Sequence, residues 1–321
     1  MNIEKLQVGY TSNSGCVKAV DGISLEVAEG EVFGLAGESG CGKTTAMLSI
    51  MQLLPPAGRI LGGRIMFGDR DLVGLSDAAL RNIRWKSISM VFQGAMNALN
   101  PVHNVGSQIA EAIMLHEKST RRDAFRRARD LLELVGLDPS RGGEYPHQFS
   151  GGMKQRAIIA MALACNPRLV IADEPVTALD VIVQDQILKL MKQLQEKLHL
   201  SMILISHDLS VIAQTCDRVA IMYAGKIVEQ ADIISLFEKP LHPYTQALVK
   251  AFPSVRTSRK LTVIPGAPPD LTSLPPGCRF HPRCPVKVDR CMREEPLLIR
   301  AEAGHYAACH LLQAEPSSGK A

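Results

Sequence analysis

Apolar residues fall along this chain in short dense runs, and several of the runs stop on a polar or charged group. Ile3, Leu6 and Val8 open it. Ile23, Leu25 and Val27 then alternate with Ser24 and Glu26, the two-residue period of a half-buried strand, before a turn at Glu29-Gly30. Residues 31–36, 64–67, 88–92, 169–172 and 202–205 are apolar runs of strand length, the first and the last two dense enough for buried strands. Helical stretches lie between them. Ala46, Met47, Leu48, Ile50, Met51 and Leu53 make the apolar side of a helix that Pro55-Pro56 ends, and Ser76 or Asp77 opens a short one. Residues 105–136 read as helical; from Thr120 onward Phe125, Ala128, Leu131, Leu132 and Val135 line one side, and Gly136 stands as C-terminal cap. Two more helices follow Ser150 and Asp180, the second with Val183, Ile187, Leu190, Met191, Leu194 and Leu198 as its stripe. This alternation predicts an α/β fold whose strand ends share the carboxyl edge of a parallel sheet.

Those strand ends carry the chemistry. Gly37-Glu38-Ser39-Gly40-Cys41-Gly42-Lys43-Thr44-Thr45 fits G-x-x-x-x-G-K-[ST] between a strand and a helix, the context of a phosphate-binding loop. Glycines let the backbone close around phosphate oxygens, and the helix N-terminus adds partial positive charge. Lys43 then holds the β- and γ-phosphates of ATP, and the Thr44 hydroxyl a Mg²⁺ ion. An accidental glycine-rich turn would lack the strand before and the helix after. Ser150-Gly151-Gly152 opens a buried helix as a second anion-binding end, with Ser150 its N-cap. Two such ends serve one ATP only if they come from different subunits or sides.

Asp173-Glu174 ends the run at 169–172, and acids there are costly unless they hold a metal or do chemistry. Asp173 is expected to reach Mg²⁺, Glu174 to act as general base on the attacking water. Gln93 ends another strand, placed for Mg²⁺ or a water, and Ser206-His207-Asp208 ends a third. Tyr10 is either a base-stacking aromatic or an ordinary strand residue.

Together these residues resemble the ATP-binding cassette family, with its motifs in complete order from about residue 3 to 238. The resemblance implies a mixed-sheet core with a helical subdomain at about 94–165. It makes Tyr10 the adenine-stacking aromatic, Gln93 the Q-loop, Ser150 to Gln155 the signature, and Asp173 and Glu174 the Walker B pair. Asp180 becomes the D-loop acid and His207 the switch histidine. The signature reads F-S-G-G-M, with Met153 where a glutamine is usual. Residues 96–101 (M-N-A-L-N-P) and His242-Pro243-Tyr244-Thr245 further resemble the dipeptide/oligopeptide permease branch, although Gly94-Ala95 replaces that branch's acid and proline. The implied protein is an ATPase subunit on the cytoplasmic face of a membrane. It pairs with a second cassette, expected to be a paralogue, and serves two separate permease subunits and an extracellular or periplasmic substrate-binding protein. Peptide is the expected cargo; nickel, glutathione, opines or short oligosaccharides stay open. So does a soluble cassette ATPase outside transport, although one motif set and about 105 residues between Thr45 and Ser150 fit neither the two-cassette translation type nor the coiled-coil repair type.

Composition changes this picture little. The net charge is +4, and residues 240–321 hold 11 Lys/Arg against 6 Asp/Glu, so the remainder is close to neutral, which argues against a nucleic-acid binder built on a basic face. The cluster Arg121, Arg122, Arg126, Arg127 and Arg129 reads as a solvated helix face. No apolar run reaches the roughly 18 residues of a membrane helix, and the first residues lack a signal-peptide pattern.

Residues 239–321 form a second, C-terminal extension. It holds 12 of the 19 prolines and is expected to lack regular structure and to need something to order it. Cys278, Cys284, Cys291 and Cys309 stand there at C-x5-C-x6-C-x17-C, which suggests a metal staple. Spacing alone leaves zinc and a four-cysteine iron-sulfur cluster both open. The family resemblance, carried by Pro282-Arg283-Cys284 and Cys309-His310, implies a [4Fe-4S] cluster. Cys16, Cys41, Cys165 and Cys216 are scattered and need no special role.

Overall fold

The computed structural model describes residues 1–12, 15–94, 98–251 and 264–313. In chain order come β1 (Asn2–Ser12), β2 (Gly15–Glu26), β3 (Val32–Ala36), α1 (Lys43–Ile50), β4 (Gly58–Phe67), β5 (Arg70–Asp71), α2 (Asp77–Arg81) and β6 (Ile88–Val91). Next are α3 (Val105–His116), α4 (Arg121–Leu134), α5 (Gly151–Ala162), β7 (Leu169–Asp173), α6 (Val181–Leu198) and β8 (Ser201–Ser206). The last part holds α7 (Leu209–Thr215), β9 (Arg218–Tyr223), β10 (Lys226–Asp232), α8 (Ile233–Glu238), α9 (Pro243–Ala251), β11 (Ile299–Glu302) and β12 (His305–Ala307). The chain divides into two compact units: Met1–Glu26, Phe33–Val73 and Ser206–Ala321 form one, Val27–Val32 and Gly74–Ile205 the other.

The first unit contains an antiparallel sheet in the order β2-β1-β4-β5 and a second sheet segment in the order β11-β12-β10-β9-β3, where β3 and β9 run parallel. All five residues of β3 are buried, as a strand covered on both faces requires. The α1 helix stops at Ile50, short of the Pro55-Pro56 expected to end it. Gln52 takes a left-handed φ of 46°, and Leu53 N–H reaches back to the Leu48 carbonyl (2.9 Å) while Gln52 N–H reaches Ser49 (3.1 Å). That pair of bonds is a Schellman closure, which ends the helix before any proline acts. β4 is longer than the 64–67 run because Gly58, Gly62 and Gly63 interrupt its alternation.

The extension is more regular than its prolines suggest. It contributes α9, with Pro243 at the first helical position where its missing N–H costs nothing. It also adds the β11–β12 hairpin, which pairs antiparallel to β10 through Glu229↔Ala307 and Gln230↔Tyr306. Packing orders it: Tyr223 of β9 meets Tyr244 (ring centroids 4.7 Å apart) and Phe280 (5.2 Å, edge-on), all three at most 2% exposed. Each such ring contributes about 1.5–3 kcal/mol by burial.

The second unit contains the parallel strands β6, β7 and β8, paired in sequence through Ile88↔Leu169 and Leu169↔Ser201. Helices α3, α4 and α5 pack on one another. The helical stretch expected at 105–136 is two helices, and the second starts at Thr120, the expected beginning of its segment: the Thr120 hydroxyl accepts from Asp123 N–H (3.2 Å) and donates to the Asp123 carboxylate (2.7 Å). Gly136 follows α4 with φ +73°, as expected of a cap. Arg121, Arg122, Arg126 and Arg129 are exposed, while Arg127 pairs with Glu117 at 2.7 Å.

Candidate nucleotide site

In the first unit β3 runs straight into the phosphate loop, and α1 begins at Lys43. Gly37 (φ +150°) and Gly42 (φ +104°) need conformations that a side chain disfavours, and a Cβ on either would overlap the carbonyl oxygen of Met222 or Ala19. The loop is therefore a close backbone cradle. Lys43 is 5% exposed, and its ammonium donates to the carbonyls of Gly37 (2.7 Å) and Glu38 (2.9 Å). Burial keeps the Cys41 thiol above its ordinary pKa although Lys43 pulls it down. Ser39 and Gly40 are exposed at the tip, Thr44 is half-buried, and the Thr45 hydroxyl lies 3.1 Å from that of Tyr10. His207, also in this unit, is exposed between Ser206 and Asp208, whose turn is pinned by Asp208 N–H to Ser206 Oγ (3.0 Å).

The second unit holds the acids. Asp173 ends β7 opposite Ile205 and is 1% exposed. Glu174 follows with φ +47°, a left-handed conformation unusual outside glycine and a mark of strain held by its surroundings. Its N–H donates to the Ile205 carbonyl (3.0 Å), and Oε2 accepts from Gln93 Nε2 (3.1 Å) and Thr177 Oγ1 (3.0 Å). Ser150 caps α5 by accepting from Met153 N–H (3.4 Å), and Asp180 caps α6 by accepting from Val183 N–H (3.0 Å). Gly151 and Gly152 form the first turn of α5. Met153 Sδ lies 3.4 Å from Arg141 Nη1, and that guanidinium also covers Phe149.

The structure thus brings Tyr10 to the phosphate loop and Gln93 to Glu174. Residues 95–97, which carry the start of M-N-A-L-N-P and Ala95, lie outside the described residues. The loop's cradle fits a phosphate chain; Thr44 in the first unit, and Gln93 and Asp173 in the second, each carry an oxygen of the kind that Mg²⁺ takes. Sequence reading missed two features: the strain at Glu174, which no residue type announces, and a contact from the extension to Glu38. Tyr244 Oη accepts from Glu38 N–H (3.0 Å), and Arg283 grips the Glu38 carboxylate.

In the extension, Cys278, Cys284, Cys291 and Cys309 line one small cavity of about 10 Å³ together with His242, His281 and His310. None forms a disulfide. Burial pushes Cys278 up to about 11 and also raises Cys284 and Cys309, with neighbouring thiols adding to the shift. Among the described residues no group of three or more His, Cys, Asp or Glu side chains is placed to hold a metal ion. The expected ligand set is therefore not drawn together on one point among the described residues.

A cradle of this shape after a parallel strand, with a capped signature helix and a strand-end acid pair in the same chain, defines an ATP-binding cassette ATPase. The chain belongs to the ABC transporter family, which matches residues 20–177, and the oligopeptide/dipeptide transporter C-terminal region matches residues 228–291. It is 48% identical over 315 residues to the dipeptide transport ATP-binding protein DppD of Bacillus subtilis, covering 97% of this chain and 94% of that one. It is 45% identical over 314 residues to the probable peptide ABC transporter ATP-binding protein y4tR of Sinorhizobium fredii, with 96% and 94% covered. Among solved structures, the post-hydrolysis dimer of the cassette MJ0796 bound to ADP and Pi superposes with a TM-score of 0.65 at 26% identity, over 72% of this chain and 98% of that one. No helix among the described residues is long and apolar enough to cross a membrane.

Proposed function

We propose that this chain is the ATP-hydrolysing subunit of a peptide importer, bound peripherally to separate permease subunits at the cytoplasmic face. The similarity of nearly its whole length to dipeptide and oligopeptide transport ATP-binding proteins carries this reading. In it, Lys43 leaves the loop carbonyls for the β- and γ-phosphates, the N–H groups of residues 39–45 take the remaining oxygens, and Tyr10 stacks on the base. Thr44, Asp173 and Gln93 hold Mg²⁺, which when bound neutralises charge on the phosphates. Glu174 accepts the proton of the attacking water, oriented by Gln93 and Thr177, and His207 contacts the γ-phosphate. Ser150, Gly151 and Gly152 cover the nucleotide of a second cassette, with Asp180 beside them. Closure of the two cassettes around ATP then drives the permease. A dipeptide uptake assay in vesicles holding the chain with its permease pair, second cassette and binding protein tests this. ATP-dependent uptake is expected, and ATP turnover without uptake of any peptide rejects the cargo.

The cysteine cavity is read as the site of a [4Fe-4S] cluster held by Cys278, Cys284, Cys291 and Cys309. The uneven spacing C-x5-C-x6-C-x17-C lacks the paired C-x2-4-C knuckles usual for structural zinc, which supports iron, with zinc as the alternative.

A further inference from the structure

The second residue of the phosphate loop is held from three directions inside its own unit. Its carbonyl accepts from Lys43, its N–H donates to Tyr244 Oη, and its carboxylate takes a two-pronged grip from Arg283: Nη1 to Oε2 at 2.8 Å and Nη2 to Oε1 at 3.0 Å. Arg283 is built in rather than draped over the surface. It is 8% exposed, its Nε donates to the Pro265 carbonyl (2.9 Å), and Nη1 also reaches Tyr223 Oη (3.3 Å). Tyr244 is fully buried.

Glu38 is the only acid between Gly37 and Thr45. A carboxylate in a loop that must receive a polyphosphate repels its ligand, and the repulsion grows as water leaves the cleft. Neutralising it and fixing its orientation needs a planar fork, which a lysine cannot supply. We propose that Arg283 and Tyr244 are positioning residues of the nucleotide site: through Glu38 the C-terminal extension cancels the loop's acid and holds its N–H groups ready for phosphate. The effect belongs to ground-state binding, so it moves the Kd and KM for ATP and leaves kcat, set at Glu174, nearly unchanged.

The proposal rests on reading residues 37–45 as the ATP site. It is tested by titrating the full-length chain with ATP and Mg²⁺, with KM and kcat measured in the assembled transporter and thermal melts confirming folding. Arg283→Ala should weaken ATP binding about tenfold, and Arg283→Lys about threefold, because charge returns without the fork. Adding Glu38→Gln to Arg283→Ala should bring affinity back to within about threefold of wild type, since the repelling charge is gone. Tyr244→Phe removes one hydroxyl, keeps the ring, and should weaken binding about threefold. A folded Arg283→Ala or Tyr244→Phe chain with wild-type affinity overturns the proposal, as does an Arg283→Ala loss that Glu38→Gln leaves untouched. Should Arg283→Ala not fold, Arg283→Lys and Tyr244→Phe decide the matter the same way. A wild-type chain that fails to bind ATP is a different result and refutes the nucleotide site itself.

Discussion

Gln93 donates its side-chain amide to the Glu174 carboxylate at 3.1 Å, joining the end of β6 to the acid that follows β7. With Thr177 on the same oxygen and a left-handed backbone beneath it, Glu174 is held in one orientation at some conformational cost. Such strain makes sense where a carboxylate must face one direction.

Glu174→Gln keeps the shape and one hydrogen-bonding oxygen but cannot take a proton. It should bind ATP with near-normal affinity and hydrolyse it about two to four orders of magnitude more slowly, accumulating the ATP-bound closed dimer. Single-turnover hydrolysis and size-exclusion chromatography with ATP measure both. Near-wild-type turnover would remove Glu174 from the base role.

Ser150 caps a helix whose first turn is Gly151-Gly152, and in the proposed site that end serves the nucleotide of another cassette. Specific activity of the isolated chain should then be low and rise steeply with protein concentration. Activity independent of concentration in a proven monomer contradicts the shared site.

How much was legible beforehand depended on whether a residue's role is local. The phosphate loop, the cap residue Ser150, the helix after Asp180 and the buried strands β3, β7 and β8 are written in spacing and residue type, and each stands where the pattern put it. Arg283 gripping Glu38 spans 245 positions, and no local period encodes such a pair. The β11–β12 hairpin escaped for a related reason: its strands are four and three residues long, and it is fixed by pairing to β10 rather than by its own pattern.

That hairpin hangs on a buried acid. Glu229, with no exposed surface, accepts from the N–H groups of Leu241 (2.7 Å) and His242 (2.8 Å) and meets His305 Nε2 of β12 at 2.7 Å. His305→Ala strips one of these partners and should cost about 1–3 kcal/mol. It should also open 299–307 to limited proteolysis. Unchanged urea stability together with unchanged protease resistance would show that the pair contributes nothing.

Fully buried beside Phe280, with Nδ1 accepting from Tyr244 N–H (3.0 Å), His242 is held neutral: burial lowers its pKa from the usual 6.5 to about 3. Between these values the unfolded chain binds a proton that the folded chain refuses, so stability is complete above about pH 6.5 and falls as pH drops toward 3. The slope is about 1.4 kcal/mol per pH unit for this one group. Urea unfolding at about pH 5.5 and 4.5, inside that window, should show that excess loss in wild type and not in His242→Gln; equal losses would assign the pH dependence elsewhere.

The cysteine cavity offers the last prediction, because the extension also has an apolar core of its own. Tyr223, Tyr244 and Phe280 form its core, and Arg279 pairs with Asp21 of β2 while Lys226 joins Asp21 to Glu295. A cluster would thus add to a fold that also has aromatic packing and ion pairs to hold it, unlike a zinc finger, which is unfolded without its ion. Deprotonating Cys278, Cys284 and Cys309, whose pKa values burial has raised, requires a strongly bound group. Protein purified without oxygen should be brown, with about four irons per chain. Cys284→Ser should lose the colour and loosen residues 278–309 to proteolysis; the chain should still bind ATP, but more weakly, because the neighbouring Arg283 lies in that stretch and holds Glu38. Colourless anaerobic protein with stoichiometric zinc, or metal-free protein whose extension resists protease as well as the wild type, would discard the cluster and leave the cavity as a packing feature of the extension.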